Sequence, residues 1–299
     1  MSDERTLTTL VENGHFFECP RWHDGRWWVS DFYAHAVLAI SADGQAERSV
    51  EVEGQPSGLG WLPGGDLLVV SMKDRRVYRL ASDGSLTIHA DLAELAAGYL
   101  NDMLVHEGHA YVGCFGFDLM GGENPRPTGL IHIDPDGNAE AAGDGIWFPN
   151  GMVVTEDGTL VVAETFGACF TAFDIGADFR LSGQRVWGQV EPAAEPADLE
   201  TMLGAITFAP DGCALDAEGY IWAANGAGGE LCRVAPGGRI VDRIAMPDGL
   251  GVFACGLGGE DGHTLLACAA PDFFEQARVA AREAKLLTTT VDVPAGADR

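Results

Sequence analysis

The apolar residues of this chain come in short runs, each set off by a turn. Acidic or glycine-rich turns stand at Asp24-Gly25, Gly64-Gly65, Glu107-Gly108, Asp157-Gly158, Glu218-Gly219 and Asp261-Gly262. An apolar run follows each, at residues 26–30, 66–71, 109–114, 159–163, 220–224 and 263–268. Runs of this length between turn signals predict strands. Most are followed by a further strand-like run, at 36–40, 76–80, 129–133 and 230–234, and then by another turn such as Ser82-Asp83-Gly84. The turns recur at steps of 40, 43, 50, 61 and 43 residues.

Six units of four short strands at this spacing predict an all-β fold, a six-bladed β-propeller, over a single domain spanning residues 1–299. The sixth unit ends with residues 285–293, and the strand at 7–12 has no unit of its own. It is expected to close the ring by pairing in the last blade, because an open ring exposes sheet edges. Three segments break the pattern. Residues 115–128 form a glycine- and proline-rich loop. Residues 189–204 are acidic, with a short helix expected near 198–203. Residues 272–285 show helical spacing inside the last blade.

Composition narrows the function. A net charge of -27 repels phosphate backbones and anionic membranes, so neither nucleic acid nor a membrane is an expected partner. A small molecule is, and the oligomeric state is left open. No apolar run is long enough to span a bilayer. The start, Met1-Ser2-Asp3-Glu4-Arg5, lacks the basic-then-apolar pattern of a signal peptide. Seven scattered cysteines without a CxxC read as reduced core thiols, so a cytoplasmic location is expected.

Counting back six or seven residues from each turn reaches Glu18, Ser57, Asn101, Asn150, Asp211 and Ala254. Each lies where one blade's outer strand hands over to the next blade's inner strand, so all six are expected around the channel on one face. Singly, Asn-Gly and Asp-Gly are ordinary turn dipeptides. Two carboxylates and two carboxamides at one phase of a six-fold repeat instead make an all-oxygen donor set. Such a set suits one divalent cation: Ca²⁺, Mg²⁺ or Mn²⁺, with Zn²⁺ or Fe²⁺ also compatible.

Glu18-Cys19-Pro20, Asn101-Asp102, Pro149-Asn150-Gly151 and Pro210-Asp211-Gly212, with Asp216-Ala217-Glu218-Gly219-Tyr220-Ile221-Trp222, resemble the regucalcin/gluconolactonase (senescence marker protein-like) family of metal-dependent lactonases. The resemblance runs over nearly the whole chain. It implies a cation at the channel mouth held by Glu18, Asn150 and Asp211, with Asn101 contacting substrate or completing the shell. It also implies hydrolysis of lactones, with Asp211 accepting a proton from the attacking water. Glu164 is expected to support Asn150.

One departure points to a different substrate. Where sugar-lactone members carry an arginine two residues before Asn101, this chain has Tyr99. Trp147, Phe148, Phe115, Phe117, Met120, Phe166, Phe273 and Phe274 are expected on the same face, with Tyr99, Trp147 and Phe117 as substrate contacts beside Asn101. The expected substrate is therefore a lactone or related cyclic ester less polar than an aldonolactone. Two other readings use the same residues: a non-catalytic calcium-binding propeller, and a metal-dependent isomerase or hydratase.

Overall fold

The runs that follow the acidic turns are the second strands of six four-stranded antiparallel sheets, in a computed structural model that describes residues 5–296. The first four and last three residues lie outside the described range, and with them most of the segment on which the leader reading rests.

The innermost strands are Phe17–His23, Pro56–Trp61, Leu100–His106, Pro149–Val154, Pro210–Leu215 and Gly251–Gly258. Each packs against the innermost strands of the two neighbouring blades, which closes a ring around a central channel. Burial explains the hydropathy pattern. Second strands such as Leu67–Ser71 and Thr159–Glu164 are buried at every residue, because a neighbouring blade covers each face. They therefore read as unbroken apolar runs, without strand alternation. Outer strands such as Ala46–Glu51 are largely exposed and carry the polar sequence.

The ring closes as the sequence suggests. Thr8–Gly14 pairs antiparallel with Ala284–Thr290 as the outermost strand of the last blade, with Thr8 opposite Thr288 and Gly14 opposite Ala284. The two expected helices are present. Helix α1, Leu199–Ala205, is capped by Asp198, whose carboxylate accepts from Thr201 N at 2.9 Å. Helix α2, Glu275–Ala280, interrupts the last blade. Among the described residues no helix is long and apolar enough to cross a membrane.

Candidate active site

Every innermost strand breaks register with its neighbour near its start. The breaks fall between Glu18 and Arg21, Pro56 and Leu59, Leu100 and Met103, Pro149 and Met152, Pro210 and Cys213, and Val252 and Ala254. A bulge at this point re-aims the side chain beside it. In five blades that residue is Glu18, Ser57, Asn101, Asn150 or Asp211. Glu18, Asn101, Asn150 and Asp211 line one cavity of about 400 Å³. Ser57 is buried outside its lining, and its Oγ has no partner among the described residues.

Backbone carbonyls orient the two carboxamides. Asn101 Nδ2 donates to Pro149 O at 3.3 Å. Thr165 Oγ1 donates to Pro210 O at 2.9 Å, so it can only accept from Asn150 Nδ2, at 3.2 Å. That fixes which end of the Asn150 carboxamide is nitrogen. Thr165 therefore supports Asn150, the role expected of Glu164. Glu164 is spent elsewhere: it accepts from Trp147 N at 2.8 Å and from Thr171 Oγ1. Nothing in the sequence marks Thr165 for this task.

The two carboxylates are poorly compensated. Burial, then the charges of Asp211 and Asp102, push Glu18 well above the usual carboxylate range. Burial, then Asp102, push Asp211 up as well, against a hydrogen bond from Asn150. Asp102 is a third acid that the spacing argument missed. It is buried, accepts a hydrogen bond from Cys19 Sγ at 2.7 Å, and is itself raised by burial. Arg21 moderates Glu18, but its guanidinium donates to Pro20 O and Met103 O and lines a different, smaller cavity. No described ion pair ends on Glu18 or Asp211. Among the described residues no three of His, Cys, Asp and Glu are grouped to hold a metal. The donor set here is two carboxylates with two carboxamides. Buried acids that repel one another beside amide oxygens fit a hard divalent cation, which would supply the missing positive charge.

Above the acids the cavity wall is aromatic. Phe115, Phe148 and Phe166 line it, as do Phe273 and Phe274 from the segment before α2 and Met120 from the long loop. Tyr99 lines it too, with Lys73 Nζ 5.9 Å from its ring centre. Two of the expected contacts lie elsewhere. Phe117 is 1% exposed and packs behind the wall, its ring centre 5.7 Å from that of Phe148 and 5.8 Å from that of Phe166. Trp147 is half-buried outside the lining, and its backbone is held by Glu164 and by Phe166 N at 3.2 Å. The structure adds Phe16, Phe32, Tyr33 and Phe253 to the wall, and Leu203 and Ile206 from α1 and its end. The acids of the long loop brace it from within: Glu123 accepts from Asp118 N at 2.8 Å and pairs with Arg126.

Residues 16–270 match the family described as the SMP-30/Gluconolactonase/LRE-like region. Among solved structures, a calcium-binding protein, regucalcin, from Agrobacterium tumefaciens is 20% identical with a TM-score of 0.78, over 99% of this chain and 98% of that one. A luciferin-regenerating enzyme is 18% identical with a TM-score of 0.77, over 98% of both chains. A gluconolactonase from Xanthomonas campestris is 20% identical with a TM-score of 0.71, over 96% of this chain and 89% of that one. At these identities the likeness is one of fold.

Proposed function

The chain belongs to the SMP-30/gluconolactonase/LRE-like family, and from that premise we propose that it hydrolyses a lactone or related cyclic ester less polar than an aldonolactone, with one divalent cation. The observation that carries the proposal is that two poorly compensated carboxylates and two oriented carboxamides share one cavity with a largely aromatic wall.

Glu18, Asn150 and Asp211 would hold the cation. When bound, it would draw electron density from the ester carbonyl and favour the oxyanion that forms there. The protein supplies the rest. Asp211, which lines the cavity beside Asn150, accepts the proton of the water that adds to the carbonyl carbon. The ring C–O bond then breaks, the ring oxygen takes up a proton, and a hydroxy acid is left. One amide N–H of Asn101 is committed to Pro149 O, so its oxygen serves as a further ligand or as an acceptor for a substrate hydroxyl. The aromatic wall excludes water from the ring and rewards apolar substituents, at roughly 25 cal/mol per Å² buried. A polyhydroxylated sugar lactone finds little there to offset its desolvation.

The regucalcin neighbour is a calcium-binding protein, and the same oxygen set would serve a non-catalytic calcium site. The aromatic cavity is what favours a bound organic substrate. The test is a panel of lactones from gluconolactone to alkyl- and aryl-substituted rings, assayed with several divalent metals by acid release. Higher kcat/KM for the apolar rings, and a shift toward gluconolactone in Tyr99→Arg, are expected. Efficient gluconolactone hydrolysis with no turnover of apolar lactones would overturn the substrate assignment.

A further inference from the structure

Of the eight large apolar side chains exposed among the described residues, Leu86, Ile88, Leu95 and Val186 belong to no wall of the candidate cavity, but three others line it. Met120 (41% exposed), Leu203 (43%) and Phe274 (56%) all line the candidate active-site cavity, and Val279 (49%) lies on α2 beside it. They come from three separate departures from the blade repeat: the loop at 115–128, helix α1, and the segment carrying α2. An apolar cluster that bridges three insertions on a protein of net charge -27 marks a contact surface.

We propose that Met120, Leu203 and Phe274 carry the apolar tail of an amphiphilic cyclic ester whose ring lies at Glu18, Asn150 and Asp211; this rests on the lactonase reading above. Volume supports it. A cavity of about 400 Å³ is at the lower end of ligand pockets, which run from about 300 to 1,000 Å³. A ring ester with a long alkyl tail would outgrow it, and these three lining side chains, exposed to solvent, are placed to meet the part of the tail that emerges. The polar groups on this wall do not compete for the tail, because Glu275 already accepts from Lys73 at 2.7 Å and from Gln55 at 3.1 Å. The chain's charge disfavours an anionic lipid surface as the occupant.

The test is a series of γ-lactams with alkyl tails of increasing length, which keep the ring but resist hydrolysis. Their affinity is read by calorimetry beside kcat/KM for the matching γ-lactones. Affinity should rise about twofold to fourfold per methylene, and should go on rising after the cavity is filled. In a Leu203→Ser/Phe274→Ser variant the long-tail part of that rise should flatten; both side chains are exposed, so the fold does not depend on them. Affinity that levels off once the cavity is full would overturn the proposal, as would an unchanged length dependence in the variant. A wild-type dimer that dissociates in the variant, seen by sedimentation, would assign the patch to a second copy and also overturn it. Tail-dependent lactam binding without hydrolysis of any lactone would refute the chemistry and leave the tail site standing. Lactone hydrolysis without tail dependence would do the reverse.

Discussion

Cys19 Sγ donates a hydrogen bond of 2.7 Å to Asp102 Oδ1, across from the first blade to the third. Each residue directly follows an inward-facing one, a place held by Gly151 and Gly212 in the fourth and fifth blades. There a Cβ would come within 2.5 Å of Cys213 N and 2.6 Å of Ala254 Cβ. Neighbouring inner strands thus nearly touch at this level, and only where the spacing allows does a side chain stand in glycine's place. Cys19 and Asp102 are such side chains, both buried and joined by this hydrogen bond.

That burial has a chemical consequence. Burial and then the charge of Asp102 push the Cys19 thiol up, and burial does the same to Cys213, Cys255 and Cys268. All seven cysteines are free and buried. Native protein treated with a disulfide reagent at mildly alkaline pH should show no fast-reacting thiol, and denatured protein should show seven. A native thiol that reacts at the rate of a small free thiol would contradict the packing of the channel.

Ring closure is a second point of leverage. Removing residues 1–12 deletes most of the strand that covers Ala284–Thr290 and leaves that edge unpaired. The melting temperature should fall by roughly 5–10 °C, the scale set by a loss of a few kcal/mol in a domain of this size. Melting at the full-length temperature would show that the outermost strand adds nothing to closure.

The acids of the cavity set a pH dependence opposite to that of the surface acids. Hydrogen bonds hold surface carboxylates such as Asp91 and Asp157 low, so their contribution to stability is lost as pH falls. Glu18 and Asp211 are raised, so their contribution is fully present below the unfolded value and is lost as pH rises through the folded one. In metal-free protein, Asp211→Asn mimics the protonated acid. The variant should melt a few degrees above wild type at neutral pH, and the gap should close as pH falls into the carboxylate range. With a divalent cation present the order should reverse, because the variant loses a ligand. A gap in metal-free protein that is independent of pH would show that burial and the charge of Asp102 do not raise Asp211 in the fold.

Much of this site was legible because the repeat supplies its own ruler. Glu18, Asn101, Asn150 and Asp211 share a phase, and the bulge beside each is the structural reason for it. Asp102 escaped because it shares a phase with Cys19 and three glycines, where an acid reads as one more turn residue. Thr165 escaped because its value lies in a carbonyl, Pro210 O, brought from the next blade. The aromatic wall was legible in kind but not in detail. Phe117 and Trp147 have the right composition and neighbourhood, but local chain direction sends Phe117 behind the wall and leaves Trp147 outside it. Leu203 joins the wall because α1 folds back over the channel mouth, which no local pattern in the sequence encodes.

The central claim is that Glu18, Asn150 and Asp211 hold one cation on which ester hydrolysis depends. It is tested by stripping the protein of metal and titrating Ca²⁺, Mg²⁺, Mn²⁺ and Zn²⁺ back at moderate salt, following bound metal per chain and lactone turnover together. Turnover should appear with one bound equivalent, and Asp211→Asn should bind that metal at least about tenfold more weakly and lose roughly 10²–10⁴-fold in kcat. Metal-free protein as active as loaded protein, or metal-loaded Asp211→Asn with wild-type turnover, would contradict the account.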